Sequence, residues 1–439
     1  MNESQRDAGL DRAVRTWALA ANIVNIVVGA GIFAAPSAVA ANMGSYGPLA
    51  FLVCAAAIGA VGICLAEAGS RVPTSGGIYG SIAAAFGPLA AYVTGTALWF
   101  GNVLACGGVA AALADVVASV VRSKLATPVH ASVVIVMIGA ISFINILGVQ
   151  KGARLVDAAT LVKLIPLAIF VIAGAHATDS ANFSQTVAPS TAGFGRALIL
   201  ALFVFTGMEV SLSASGEVAE PARSIPRALG IGLGSTALLY IAIQVIAQGI
   251  LGPALAESTA PLADAMARIS PALRLLMLAG AAISMAGWLG SDILASPRVI
   301  FAFARDGLLP RFLGRLHPRT HAPYAAILCY ATIALGLALT GTFAELAVLS
   351  TLASAILYIG GAAAAWRLAR RGVALAGTPL NFRWLGSAVV ASIASMLVFI
   401  ALASRQEIIG LFVLLAVSTF FYLVQAQRKR ARVNSMAAG

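Results

Sequence analysis

The chain has 439 residues, 60% of them hydrophobic, only 10% charged, and a formal net charge of +12. Soluble domains carry roughly 25% charge, so a soluble globule, a disordered chain, a collagen, a coiled coil and a secreted disulfide scaffold are excluded. The composition is that of a multi-pass membrane protein, in which every charge inside a span needs a reason.

The first sixteen residues are polar, and the apolar run after them is long enough to span a bilayer, so no cleavable signal peptide is expected. Runs of about 20 apolar residues fall near 17–40, 47–68, 88–118, 130–149, 153–175, 196–217, 229–252, 271–304, 323–340, 343–366, 384–403 and 407–427. Twelve spans put both termini on one side. With that side cytoplasmic, 21 Lys and Arg lie in inside segments and 6 outside, with Lys163 left within a span. This bias predicts cytoplasmic termini in a cell membrane. It also explains the positive excess, so no nucleic-acid partner is expected. Cys54, Cys64, Cys106 and Cys329 lie in apolar runs without CxxC spacing and read as buried fillers.

In chain order, the first span reads Gly29-Ala30-Gly31-Ile32-Phe33 with Pro36 close behind, a poor helix interior. Two readings are open: close helix packing, or an unwound segment whose freed backbone groups bind ligand. Gly29-x-Gly31-x-x-Ala34 also fits a dinucleotide fingerprint, but no βαβ unit surrounds it. In the fifth span Lys163 sits about 15 Å deep at helical rise, where an ion pair or a carbonyl contact is the structural reading. The sixth span carries Phe203-Val-Phe205-Thr206-Gly207-Met208-Glu209, a second glycine-marked break beside a deep carboxylate. Interruptions five helices apart predict an inverted 5+5 repeat, with spans one to five repeated by six to ten and two accessory helices. The expected units are a cytoplasmic segment 1–16, repeats 17–175 and 196–366, accessory helices 384–427 and a basic tail 428–439.

Gly230-x-Gly232-x-Gly234 in the seventh span reads as a close helix contact. The eighth span holds Asp292, the third deep ionisable group after Lys163 and Glu209. It either faces the cavity and favours a cationic substrate, or pairs with Lys163. Asp115, Glu345 and Glu407 fall at span ends, where solvation is cheap. His130, His176, His317 and His321 fall in loops or span ends; Pro318 spoils the one i, i+4 pair, so no metal is expected.

These features resemble the amino acid–polyamine–organocation superfamily, the amino-acid permeases with a LeuT-type fold. The resemblance rests on Gly29-Ala-Gly31-Ile-Phe33 with Pro36, and on Glu67-x3-Arg71-x-Pro73-x-Ser75-Gly76-Gly77-x-Tyr79. It rests also on Phe205-x-Gly207-x-Glu209, on Glu217-x-x-Glu220-Pro221-x-Arg223-x-Ile225-Pro226, and on Arg298-x6-Arg305-Asp306-Gly307-Leu-Leu-Pro310. They cover residues 20–310 in the family's order. The resemblance implies an amino-acid carboxylate at the backbone of Ala30, Gly31 and Ile32, and an ammonium at carbonyls near Val28, Gly29 and the turn Phe203–Thr206, which includes Phe205. It implies Phe203 as a lid, Trp99 and Asn102 on the cavity wall, and rocking of a bundle of spans one, two, six and seven. Leu161-Val162-Lys163 resembles the fifth-helix lysine of proton-coupled, sodium-independent members, and Glu209 an acid that links the broken helix to its neighbours.

The reading is therefore a proton-coupled or substrate-exchanging transporter of amino acids, with no cofactor; the oligomeric state is left open. A polyamine or amine exchanger is the rival within the class. A membrane enzyme lacks a paired nucleophile or metal cluster at depth, a channel lacks a repeated filter, and ATP drive lacks a Walker motif.

Overall fold

In lipid a spanning chain must satisfy its backbone within itself, which leaves helices as the solution for a single apolar run. The computed structural model describes residues 14–73, 77–119, 126–147, 163–184, 189–212, 217–305, 307, 309–375 and 378–437. They form α1 (Thr16–Val27), α2 (Gly31–Met43), α3 (Gly47–Arg71), α4 (Gly77–Phe86), α5 (Pro88–Ala118) and α6 (Ala126–Ile146). Then come α7 (Leu164–Ala175), α8 (Thr191–Phe205), α9 (Met208–Ser211), α10 (Pro221–Leu251), α11 (Pro261–Ala267) and α12 (Pro271–Ala295). The last are α13 (Pro297–Arg305), α14 (Tyr324–Thr340), α15 (Phe343–Arg370), α16 (Leu385–Ala401) and α17 (Arg405–Ala437). The one extended pairing among the described residues is an isolated bridge between Val14 and Val218.

Eight helical segments among these residues are long and apolar enough to cross a bilayer, within 31–71, 88–118, 127–146, 191–211, 221–257, 271–305, 343–370 and 405–425. Helices α1, α4, α7, α14 and α16 are apolar but shorter. Two expected spans, 17–40 and 196–217, are each split into two helices. The first part of the expected fifth span, 153–162, lies outside the described residues, as do Ser75, Gly76 and Asp306 of the motifs. Proline sits in the first turn of α3, α5, α10 and α12, where its missing N–H costs no helical bond.

The centre is built from α1 and α3 packed on α10, α2 packed on α8, and α5 packed on α15. Small residues let these backbones approach. Of the three glycines expected at a contact on α10, only Gly232 makes one: a Cβ there would lie 2.6 Å from the Ile23 side chain, whereas Gly230 and Gly234 face open space. Gly232→Ala is expected to destabilise by about 1–3 kcal/mol through overpacking, and Gly230→Ala to be neutral or stabilising by helix propensity. Thermal unfolding in detergent measures both.

The Glu67-x3-Arg71 motif closes α3 with a buried ion pair of 2.6 Å. Arg71 also donates to the carbonyls of Val373 and Leu380 and to Asn381 Oδ1, while Glu67 Oε2 accepts from the Phe382 amide at 3.1 Å. The motif thus holds the connection between α15 and α16 against the end of α3. Removing one partner of a buried pair costs about 3–5 kcal/mol. Glu67→Gln is therefore expected to lower the unfolding midpoint and expose the 373–382 segment to protease.

Candidate substrate site

Helix α1 ends where Val28 and Gly29 turn their amides back to Val24 O and Val27 O, at 2.8 and 2.6 Å. In a continuous helix the Gly29 amide would bond to Asn25 O, so that carbonyl is released. Helix α2 then starts at Gly31, and the amides of Ala30, Gly31 and Ile32 donate to no backbone carbonyl, as at any helix start. The second break follows the same logic. Phe203 O accepts from Thr206 N and Oγ1, Thr206 is extended, and Gly207 at φ +114° takes a conformation that side chains disfavour. Its amide is capped by Glu209 Oε2 at 3.0 Å, and the same oxygen accepts from Tyr358 OH on α15 at 2.8 Å.

The breaks touch each other. A Cβ on Gly31 would lie 2.7 Å from Val204 Cγ1 and 3.2 Å from the Phe203 ring, and one on Gly207 3.2 Å from Ile26. Beside them is a cavity of about 610 Å³. Gly29, Ala30, Gly31, Asn102, Lys163, Phe203, Thr206, Glu209 and Asp292 line it, so nine of the thirteen residues singled out for the site meet in one place. The cavity runs past Ala21 and Asn22 of α1 and Leu294 to Ser296 at the end of α12, while no residue of α2 beyond Gly31 lines it. On the opposite side Phe203 packs edge-on to Phe343 at 5.6 Å.

Four expected residues stand apart. The side chains of Val28 and Ile32 are fully buried away from the cavity, which leaves them only their backbone groups. Phe205, the last residue of α8, packs against Phe51 and Tyr240, with centroids 6.4 and 5.2 Å away. Trp99 does not line the cavity either: it packs against the Tyr330 ring at 6.0 Å.

The deep charges do not pair with one another. Lys163, just before α7, donates its ammonium to Asn25 O, the carbonyl released by the α1 break. Asp292 accepts from Ser296 Oγ at 2.7 Å and from Tyr330 OH, and Asn102 Nδ2 donates to Ser296 Oγ at 3.0 Å. The expected Lys163–Asp292 ion pair is absent among the described residues. The oppositely charged groups have each found neutral partners nearer at hand.

Sequence reasoning missed Ser284, Trp288, Ser350 and Ser354 on the cavity wall. The signal was present as four-residue spacing: 284, 288 and 292 share one face of α12 and 350 and 354 one face of α15. A Cβ on Gly29 would come 2.9 Å from Trp288 Cδ1, so this ring roofs the first break. Tyr330 and Tyr358, the partners of the two acids, gave no comparable signal.

The amino acid permease family pattern matches residues 14–371. An uncharacterized transporter of Mycobacterium tuberculosis is 35% identical over 72% of this chain and 70% of its own length. A serine/threonine exchanger of Bacillus subtilis is 27% identical over 80% of this chain and 82% of its own. Cationic amino acid transporter 4 of Mus musculus is 26% identical over 77% of this chain and 57% of its own. With the matched pattern spanning both broken helices and the cavity between them, the chain belongs to the amino acid permease family, the membrane transporters of the amino acid–polyamine–organocation superfamily.

Proposed function

We propose that the chain moves amino acids across the cell membrane by alternating access, driven by protons without sodium or by exchange of one substrate for another. One observation carries this reading: two interrupted helices face a single cavity, with unclaimed amides at the start of α2 and helix-end carbonyls on α1 and α8. An α-amino acid is a zwitterion. Its carboxylate suits the positive end of α2 at Ala30, Gly31 and Ile32, and its ammonium suits the negative ends, at carbonyls near Val28, Gly29 and the Phe203–Thr206 turn.

In this reading Phe203 is the lid on the side closed by Phe343. Glu209 ties the second break to α15 through Tyr358 and gates it. Lys163 reports its protonation to α1 through Asn25 O. The moving bundle belongs to a 5+5 inverted repeat over 17–175 and 196–366, twelve spans in all with the accessory pair 384–427. By the bias of 21 inside to 6 outside cations, the open mouth faces the cytoplasm.

The decisive test is uptake of a labelled amino-acid and amine panel into liposomes, with the pH gradient and the internal substrate varied separately. Accumulation driven by the gradient alone supports proton coupling, and uptake that needs internal substrate supports exchange. No uptake by demonstrably folded protein overturns the reading. Asp292 at the cavity favours a second reading, an amine or polyamine exchanger; transport of a diamine but of no carboxylate-bearing substrate selects it.

A further inference from the structure

Asp292 is 8% exposed, lines the cavity, and among the described residues has only neutral donors as hydrogen-bond partners: Ser296 Oγ, Tyr330 OH and the Cys106 thiol. Asn102, from α5, donates to Ser296 and so braces the same group from another helix. These neighbours, Ser296, Tyr330, Asn102 and Cys106, come from the end of α12, α14 and α5, so the carboxylate is held at one place in the wall. A carboxylate taken out of water and left without a cation is costly. The cation in the same cavity, Lys163, is bonded elsewhere, to Asn25 O.

Position along α12 adds a direction. Ser284 Oγ lies 3.5 Å from Gly29 O, at the level of the first break, and Trp288 roofs Gly29 one turn later. Asp292 follows one turn beyond Trp288, on the same face and toward the open mouth. At helical rise Asp292 lies about 12 Å along the axis from Ser284 and about 6 Å from Trp288, so a four-carbon side chain reaching down from a backbone held under Trp288 ends near the carboxylate.

We propose that Asp292, held by Tyr330 and Ser296, is the anchor for the positively charged end of a long substrate side chain, so that this permease selects basic amino acids such as lysine, ornithine or arginine. This rests on the reading of the site as an amino-acid carrier. The substrate's cation then completes the charge that the protein leaves uncompensated, and the backbone of the breaks holds the α-carboxylate and α-ammonium in the same way for any amino acid.

Binding of lysine and of norleucine, its uncharged counterpart of similar length, to purified protein separates the side-chain term from the backbone term. Wild type is expected to bind lysine at least about ten-fold more tightly, in keeping with the cost of leaving a buried charge without its partner. In Asp292→Asn that ratio is expected to fall to about one through loss of lysine affinity, and Asp292→Glu, which keeps the charge, is expected to restore part of it. Equal binding of the two ligands by wild type overturns the proposal while leaving amino-acid transport intact, and this outcome depends on no variant folding. An unchanged ratio in Asp292→Asn overturns it as well. If no amino acid binds wild type at all, the transport reading falls and this proposal with it.

Discussion

Liposomes carrying Lys163→Ala should show no uptake driven by a pH gradient, whereas wild type accumulates substrate. The reason begins in the backbone of α1. Because the Gly29 amide bonds to Val27 O, the Asn25 carbonyl has no helical donor, and the Lys163 ammonium supplies one from the start of α7. A hydrogen bond from a charged donor is worth about 1.5–3 kcal/mol, a bias of roughly 10- to 150-fold on the position of α1. When the ammonium gives up its proton that bias weakens, so proton occupancy and the posture of α1 are linked quantities. Alanine removes both the charge and the donor. Lys163→Arg tests the protonation step separately: a guanidinium keeps the bond to Asn25 O but does not release its proton, so this variant should bind substrate yet lose gradient-driven accumulation. Unchanged pH-driven transport by Lys163→Ala would remove the coupling role.

The second large effect is expected at Gly31. A methyl there would meet Val204 Cγ1 at 2.7 Å, closer than real Cβ contacts come, and the Phe203 ring at 3.2–3.3 Å, tighter than most. The two breaks would have to separate, at the first free amides of α2, where the carboxylate is proposed to sit. Overpacking of this kind costs about 1–3 kcal/mol, so Gly31→Ala should weaken substrate binding roughly 5- to 150-fold in protein that still folds. Gly59→Ala is the control: the same substitution within α3, with nothing within 4 Å of the new methyl, should leave affinity unchanged and the helix no weaker. Substrate-dependent shifts of the unfolding midpoint measure both. Equal affinity in the two variants would show that the approach of the breaks is not what builds the site.

The broken helices were legible because glycine beside proline, or glycine beside a carboxylate, opposes a helix by known local costs, and such costs are carried in a few adjacent letters. Lys163, Glu209 and Asp292 were legible because charge is rare at depth and each exception stands out. Their partners were not. Tyr330 and Tyr358 are two aromatic residues among many, and only the contact of α14 with α12 and the packing of α15 beside the α8–α9 break bring their hydroxyls to the acids. The Lys163–Asp292 pairing was a reasonable rule of opposite charges, but it could not foresee that unwinding α1 frees a carbonyl at the lysine. Phe205 was drawn into the site by its proximity to Gly207 in sequence, yet it is the last residue of α8 and sits on that helix's core face. Val28 and Ile32 show the same limit in reverse, since a motif names positions and cannot say whether side chain or backbone is meant.

The bridge between Val14 and Val218 bears on how such a carrier opens. Val14 gives and takes a backbone hydrogen bond with the 217–219 segment, at 3.0 and 2.9 Å, and Thr16 Oγ1 adds one to Ser224 Oγ at 3.1 Å. The start of α1 is therefore stitched to the chain that leaves the second break. A swing of α1 of the kind proposed would carry that segment along or break these three bonds. In the proposed rocking motion, α1 and the start of α10 would then swing as a single leaf.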